Sequence, residues 1–346
     1  MDAFARGLLA WYGQHGRHHL PWQQPRTAYR VWISEVMLQQ TQVATVIAYF
    51  NRFVAAVPDV TALATAPEDR VMALWSGLGY YRRARYLQAA ARLCVERHHG
   101  ELPDIFAELA ALPGIGRSTA GAILALARNQ RHAILDGNVK RVLARFHGIP
   151  GWPGEPATGR ALWERAEAHT PSVQVADYTQ AIMDLGATVC TRAHPRCDEC
   201  PQARDCAARR AGLVDVIPAP RPARALPERH CVFVVLRQRD GRVLLRQRPV
   251  QGVWPRLWSL PEAADIDAAR ALAARLARID GHAAEWMPAI THRFTHFKLS
   301  ATPMLWRGAQ QLPRVADAAD TRWYTAAEIE SLGIPAPVRK WLHAQA

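Results

Sequence analysis

The sequence lacks any long hydrophobic run. Although 49% of its 346 residues are apolar, no stretch reaches the roughly 18 uninterrupted apolar residues of a membrane span. It also has neither the charged start nor the cleavage site of a signal peptide, since residues 1–16 have the spacing of an amphipathic helix. These absences exclude a membrane protein. We expect a soluble, monomeric protein of the bacterial cytoplasm with no membrane partner.

Lysine is scarce: 40 of the 43 basic residues are arginine. Against 30 acidic residues they leave a formal charge of +13, divided between residues 1–211 (+6) and 212–346 (+7). Positive charge on both halves favours a polyanion held from two sides, and guanidinium groups suit bidentate contacts with phosphate. Because genomic codon bias also enriches arginine, charge alone leaves nucleic-acid binding undecided.

Cysteine is too sparse and too unevenly placed for a disulfide framework. Cys94 and Cys231 lie alone in apolar runs, where a buried structural thiol is the usual role. The other four follow the spacing C-x6-C-x2-C-x5-C and are Cys190, Cys197, Cys200 and Cys206. Four thiolates so close in sequence can surround one compact centre, and their chemistry alone leaves a tetrahedral zinc ion and a 4Fe–4S cluster about equally favoured.

The hydrophobic pattern divides the chain into three parts. Residues 1–211 show helical periodicity interrupted by Pro and Gly, and residues 33–50 are predicted as one helix with an apolar and a polar stripe. Residues 212–229 contain four prolines, which is typical of an extended linker. Residues 230–346 form a separate α+β domain.

Within that last domain the hydrophobic period is typical of strands. Residues 231–237 and 243–248 are predicted strands, separated by the hairpin signal Asp240-Gly241. A helix over 267–279, a strand-like segment over 291–306 and a helix over 325–332 follow.

A glycine-rich turn joins two predicted helices at residues 112–123. It reads L-P-G-I-G-R-S-T-A-G-A-I, and Gly114 and Gly116 allow successive backbone N–H groups to point outward at the start of the next helix. Such a concavity binds a phosphate oxygen without a side chain. The motif is similar to the helix-hairpin-helix of DNA-binding proteins, although an ordinary turn between helices has similar glycines.

Two further segments complete a recognisable set: V-W-I-S-E-V-M-L-Q-Q-T-Q-V-A-T-V-I at residues 31–47 and L-D-G-N-V-K-R at residues 135–141. With the hairpin and the cysteine loop at 190–206, they make the chain resemble the MutY-type adenine DNA glycosylases of the endonuclease III superfamily. The resemblance implies an all-α helix-hairpin-helix glycosylase domain with two lobes, followed by an α+β Nudix-like domain. It also favours the 4Fe–4S cluster over zinc, and it makes the loop arginines candidate contacts to the DNA backbone.

Breaking a purine N-glycosidic bond requires an acid that protonates the base and a carboxylate that stabilises the cationic sugar. The resemblance implies that Glu35 is the acid, that Asp136 is the carboxylate and that Asn138 orients this centre. Taken in isolation, each residue has a simpler structural role that would be preferred, Glu35 as a surface residue of a helix and Asp136 as a helix cap. The related glycosylase–lyases have a lysine nucleophile where this chain has Ser118, so we expect base removal without efficient strand cleavage. Lys140 is close enough in sequence to form an adventitious Schiff base.

The target base must leave the stack to reach a buried acid. The resemblance implies that Gln40 and Tyr80 insert at the lesion, although core packing is the simpler role for Tyr80. It also implies that Trp22 and Gln180 line the adenine pocket.

The last domain resembles the Nudix fold but lacks the glutamates that hold Mg²⁺, since the corresponding helix reads A-A-R-A-L-A-A-R-L-A-R-I. Pyrophosphohydrolase activity is therefore not expected. The resemblance implies that Phe294-Thr295-His296 reads 8-oxoguanine. Thr295 departs from the usual serine by one methyl group, which puts the strength of lesion discrimination in question.

The sequence thus predicts a monofunctional, nucleoid-associated glycosylase whose partner is double-stranded DNA with an adenine·8-oxoguanine mispair. One alternative is a pyrimidine-lesion glycosylase–lyase of the same superfamily, which borohydride trapping distinguishes. Another is a non-catalytic metal-containing DNA-binding protein, against which the absorption of an iron–sulfur cluster near about 400 nm would count.

Overall fold

The computed structural model describes residues 1–223, 225–279, 283–313 and 319–345. It contains two compact units, one of Met1–Thr65 with Tyr86–Ala223 and one of Ala66–Arg85 with Arg224–Ala346. The first unit is helical, and the second combines a sheet with helices. The segment Ala66–Arg85 groups with the C-terminal residues, whereas the sequence-based boundaries leave it in the helical domain.

The helices that lie wholly or mostly in the first unit occur in this order: α1 (Ala3–His15), α2 (Ala28–Leu38), α3 (Val43–Ala56), α4 (Val60–Thr65), α6 (Arg82–Arg97), α7 (Phe106–Ala111), α8 (Arg117–Arg128), α9 (Gly137–His147), α10 (Pro156–His169), α11 (Val175–Asp184) and α12 (Ala207–Arg210). A π-helical turn, Leu185–Val189, continues α11, and short 3₁₀ turns lie at Pro21–Gln23 and Cys197–Glu199. The helix predicted near the N-terminus is confirmed, with Asp2 as its cap: Asp2 Oδ1 accepts the N–H of Ala5 at 2.8 Å.

The prediction of one helix over residues 33–50 is wrong. Helix α2 ends at Leu38 and α3 begins at Val43, and Gln40 between them has φ +61°, in the left-handed region. A residue in that region cannot continue a right-handed helix, so the two stripes predicted across this segment do not share one axis. Gln39 and Gln40 are exposed at the break.

The second unit contains α5 (Glu68–Trp75), α13 (Ile266–Leu276), α14 (Ala326–Glu330), α15 (Ala336–Ala344) and ten described strands. The strands are β1 (Glu228–Arg237), β2 (Val243–Gln247), β3 (Trp258–Ser259), β4 (Glu262–Ala263), β5 (Ala277–Arg278), β6 (Glu285–Trp286), β7 (Ile290–Arg293), β8 (Lys298–Arg307), β9 (Gln310–Gln311) and β10 (Thr321–Tyr324). The main sheet has the order β10-β2-β1-β8-β6, and β1 and β8 pair in parallel from Glu228↔Lys298 to Arg237↔Arg307.

Helix α13 packs on the main sheet through Ala269, Leu272 and Ala273. The segment Ala66–Arg85 is joined to the same unit by two hydrogen bonds to the carbonyl oxygen of Ile334, from Ser76 Oγ at 3.1 Å and Tyr81 Oη at 3.3 Å.

Most C-terminal predictions hold, with three differences. The helix predicted over 267–279 ends at Leu276, because Ala277 and Arg278 pair with β9 as a strand. The segment 291–306 is two strands joined by a turn at 294–297. Helix α15 has no counterpart in the prediction, and Pro335 is its N-cap residue.

No helix among the described residues is both long enough and apolar enough to cross a membrane.

Candidate active site

Asp136 caps the N-terminus of α9. Its Oδ1 accepts the backbone N–H of Val139 at 2.8 Å, so it is the helix cap that its sequence context allowed. The residue before it is also fixed, because the N–H of Leu135 donates to Ser118 Oγ at 2.9 Å. Ser118 lies in the first turn of α8, so this bond joins the start of α8 to the residue that precedes Asp136.

Glu35 lies on α2 between the buried residues Ser34 and Val36 and is itself partly exposed. Burial of its carboxyl group, with a smaller contribution from the charge of Asp136, raises the pKa of Glu35 to about 8. Burial also raises the pKa of Asp136, but hydrogen bonds from backbone N–H groups and the charge of Arg141 oppose that shift. At neutral pH the arrangement favours a protonated Glu35, while the hydrogen bonds and the charge of Arg141 partly offset the burial that disfavours the charged form of Asp136.

Arg141 connects Asn138 to the residues that lead into the cysteine loop. Its Nη2 donates to Asn138 Oδ1 at 2.8 Å and to the carbonyl oxygen of Gly186 at 2.6 Å, and its Nε donates to the carbonyl oxygen of Cys190 at 2.7 Å. Gly186 packs against Asn138 so closely that a Cβ added there would lie 2.6 Å from that of Asn138. The orientation of Asn138 therefore depends on backbone oxygens some 50 residues away.

The four cysteines of the loop line one cavity, together with Arg145 and Arg196. Arg145 Nη1 donates to Cys190 Sγ at 3.4 Å and to the carbonyl oxygen of Thr191 at 2.7 Å. Burial raises the pKa of the Cys200 thiol to about 11, and the charges of the other three cysteines add to the shift. Among the described residues no group of three or more His, Cys, Asp or Glu side chains is arranged so that it could hold a metal ion.

The hairpin has the backbone that the glycines predicted. Gly114 has φ +78°, and a Cβ there would lie 2.7 Å from Cβ of Tyr86, so only glycine fits. Gly116 is the N-cap of α8 and is open to solvent. Arg117 lies 3.8 Å from the ring centre of Trp163 and pairs with Glu167 at 3.0 Å. These two contacts were not predicted from the sequence, because Trp163 and Glu167 lie on α10, far from Arg117 along the chain.

Gln40 and Tyr80 share an unusual backbone conformation, although they belong to different units. Gln40 has φ +61° and Tyr80 has φ +49°, and both side chains are exposed, Tyr80 by 47%. Positive φ is strained for residues other than glycine and is often found at functional sites. Core packing of Tyr80 is thereby excluded.

Trp22 and Gln180 are both buried, at 4% exposure each. The Trp22 ring packs edge-on against Phe50, with 5.5 Å between centroids. Gln180 Nε2 donates to Asp184 Oδ1 at 2.8 Å, and Asp184 in turn binds Arg17. Sequence reasoning missed Asp184 and Arg17, since the i, i+4 spacing of Gln180 and Asp184 was the only signal in the sequence.

In the second unit, Thr295 and His296 lie exposed in the turn between β7 and β8. The turn is closed by a hydrogen bond from the N–H of Phe294 to the carbonyl oxygen of Phe297 at 2.8 Å. The two phenylalanine rings stack at 4.5 Å, with Phe297 buried beneath the turn. This support presents the polar side chains to solvent.

Comparison with known proteins agrees with both units. The family described as "HhH-GPD superfamily base excision DNA repair protein" matches residues 33–168, and the NUDIX domain family matches residues 232–344. An adenine DNA glycosylase of Buchnera aphidicola is 36% identical over 98% of this chain and 96% of its own length. The human adenine DNA glycosylase is 34% identical over 98% of this chain and 73% of its own length. The chain belongs to the adenine DNA glycosylase family.

Members of this family are base excision repair glycosylases, and the protein is therefore a hydrolase. Solved structures agree on the fold of the helical part. A thermostable thymine-DNA glycosylase has a TM-score of 0.55 at 25% identity, covering 60% of this chain and 95% of its own. Endonuclease III in a non-covalent DNA complex has a TM-score of 0.52 at 19% identity, covering 61% and 95%.

Proposed function

We propose that this glycosylase removes adenine mispaired with 8-oxoguanine, or with guanine, and that it does so without cleaving the strand. The observation that carries the proposal is the pair formed by Glu35 and Asp136. A carboxyl group with a pKa of about 8 holds its proton at neutral pH, and a second carboxyl group lies close enough to influence it.

In the proposed mechanism Glu35 donates its proton to a ring nitrogen of the extruded adenine, which makes the base a better leaving group. As the N-glycosidic bond breaks, positive charge develops on the sugar and the carboxylate of Asp136 stabilises it. Water then adds to the sugar and supplies the hydroxyl group, while its proton returns the site to its starting state. Ser118 provides no amine for a Schiff base, and this supports a monofunctional enzyme.

We further propose that Cys190, Cys197, Cys200 and Cys206 hold a 4Fe–4S cluster. Four sulfurs around one cavity, with Arg145 donating to one of them, fit a polynuclear anionic centre. The cluster would cross-link the loop and hold it folded. Arg192 and Arg204 are exposed on this loop and are available to DNA phosphates.

The remaining roles concern DNA. We propose that Gly114 and Gly116 bind a backbone phosphate, that Gln40 and Tyr80 insert into the stack, and that Trp22 and Gln180 line the base pocket. Thr295 and His296 would contact 8-oxoguanine. Exposure at loop tips supports the insertion roles, because an inserted side chain must be free of its own core.

The test is release of adenine from a duplex with adenine opposite 8-oxoguanine, under single-turnover conditions, with wild type and Glu35→Gln. The amide cannot donate a proton, so we expect base release to fall by about a thousandfold while the duplex remains bound. A variant with wild-type activity would overturn the assignment of the acid. Borohydride trapping of wild type, and of Lys140→Ala, tests the absence of a Schiff-base step.

A further inference from the structure

Asp184 is a fully buried carboxylate that four hydrogen bonds surround. The backbone N–H of Arg17 donates to its Oδ2 at 2.7 Å, and Arg17 Nε and Nη2 donate to its Oδ1 at 3.0 and 2.6 Å. The fourth bond comes from Gln180 Nε2, at 2.8 Å to Oδ1. The Asp184 side chain is 0% exposed, and a buried charge requires hydrogen bonds and an opposite charge to offset its desolvation. The pair formed by Asp184 and Arg17 is therefore fixed in place.

The carboxylate determines which way the amide of Gln180 points. A carboxylate paired with a guanidinium has only acceptors, and therefore only the NH₂ end of the amide can face it. The carbonyl oxygen Oε1 of Gln180 must then point away from Asp184. Among the described residues the one side-chain hydrogen bond of Gln180 is the bond that Nε2 donates, which leaves Oε1 available as an acceptor.

The helix that carries Gln180 ends beside the catalytic residues. Helix α11 ends at Asp184, and the π-helical turn that follows brings Gly186 against Asn138. Residue 138 lies two positions after Asp136 in the first turn of α9. The oriented amide is thus one helical turn from a segment in contact with the reaction centre.

We propose that Asp184, held by Arg17, is a positioning residue that fixes Gln180 as a hydrogen-bond acceptor and so selects a purine with a 6-amino group over one with a 6-oxo group. The 6-amino group donates to Oε1, whereas a 6-oxo group would place two acceptors against each other. A site built around one hydrogen bond rejects the analogue that cannot make it. The inference rests on the proposed function, in which Gln180 lines the base pocket.

The experiment compares the single-turnover release of adenine and of hypoxanthine, each opposite 8-oxoguanine, by the full-length protein. Asp184→Asn gives Gln180 a partner with both a donor and an acceptor, so that its amide is free to turn. Asp184→Asn alone leaves the Arg17 guanidinium without its carboxylate, which could unfold the protein. The double variant Arg17→Gln/Asp184→Asn removes that guanidinium as well, and the Tm of each variant shows whether it is folded. Asp177→Asn, on the same helix but with half its side chain exposed, is the matched control.

We expect the ratio of adenine to hypoxanthine release to fall by about tenfold in both Asp184 variants and to stay at the wild-type value in the control. A folded variant that keeps the ratio, or that loses both activities equally, overturns the inference but leaves the proposed function intact. A wild type that releases neither base contradicts the proposed function itself.

Discussion

The hydroxyl oxygen of Ser118 accepts the backbone N–H of Leu135 at 2.9 Å, one residue before Asp136. This bond joins the first turn of α8 to the segment that delivers the carboxyl group to the site. A lysine at this position, as in the related glycosylase–lyases, has no acceptor with which to make it. Ser118 therefore has a structural role, in addition to providing no amine at this position.

Replacing Ser118 with alanine should slow base release by about tenfold, because an unpaired N–H at Leu135 loosens the approach to Asp136. Ser118→Thr keeps the hydroxyl group and should retain most of the activity. Single-turnover rates and duplex affinity measured together separate this effect from weaker DNA binding. Equal rates for the alanine variant and wild type would show that the bond is dispensable.

The raised pKa of Glu35 predicts a pH profile. The acid works only while protonated, so the single-turnover rate should be constant near neutral pH and fall about tenfold per pH unit above its pKa of about 8. Burial is the main cause, and the charge of Asp136 adds to it.

Asp136→Asn would therefore lower that pKa in addition to slowing the reaction. In Glu35→Gln, any residual rate should be independent of pH over the same range. A wild-type rate that rises between pH 7 and 9 would contradict the assignment of Glu35 as an acid.

The sequence predicted those features of the site that depend on local spacing. The hairpin glycines, the cap at Asp136 and the cysteine loop each occupy one short segment, where composition restricts the backbone. It could not predict the pairing of Asp184 with Arg17, since the two residues lie 167 positions apart and nothing local relates them. The break in the helix at Gln40 could not be predicted either. A glycine there would have indicated a left-handed backbone conformation, but a glutamine does not.

Asp2, His169 and His147 form a hydrogen-bonded chain that predicts loss of stability in acid. His169 Nδ1 binds Asp2 Oδ2, and its Nε2 lies 2.8 Å from Nε2 of His147. Burial, the charge of His169 and that of Arg165 lower the pKa of His147 from 6.5 to about 4, against the opposing charge of Asp2. The unfolded chain takes up a proton near pH 6.5 and the folded chain does not. Stability is thus complete above that pH and is lost as the pH falls toward 4.

Between pH 7.5 and 5 the titration of His147 should lower the free energy of unfolding by about 1 kcal/mol, allowing for the partial exposure of its ring. His147→Gln should show a smaller loss of Tm over the same range, and the exposed His15→Gln should behave as wild type does. If the Tm of His147→Gln falls between pH 7.5 and 5 as much as that of wild type does, the loss of stability in acid comes from groups other than His147.

The three contacts of Arg141 predict that it orients Asn138. Lysine keeps the charge but cannot donate to Asn138, Gly186 and Cys190 at once, since it lacks the planar fork. Arg141→Lys should reduce the single-turnover rate by about tenfold and should also weaken retention of the proposed cluster, followed as absorbance near about 400 nm. Arg210→Lys, an exposed arginine after the loop, is the control. Unchanged rate and absorbance in Arg141→Lys would exclude this role.

The turn between β7 and β8 presents Thr295 and His296 on a base of stacked aromatic rings, with Thr295 Oγ1 3.4 Å from Nδ1 of His296. Removing both polar side chains leaves the turn closed, because its backbone hydrogen bond does not involve them. Thr295→Ala/His296→Ala should therefore fold normally and still release adenine opposite guanine. Its preference for adenine opposite 8-oxoguanine over adenine opposite guanine should fall by about tenfold, because losing the hydrogen bonds to the lesion weakens its recognition by a factor of about that size.

The matched control for that double variant is Thr291→Ala/His230→Ala, which removes the same two side-chain types from exposed strand positions of the same unit. It should keep the wild-type preference. Measuring single-turnover rates on the two duplexes with all three proteins separates a loss of recognition from a loss of chemistry, because the rate opposite guanine reports the chemistry. If the turn variant and the control have the same preference, the lesion is read elsewhere, and the methyl group that distinguishes Thr295 from serine has no bearing on discrimination.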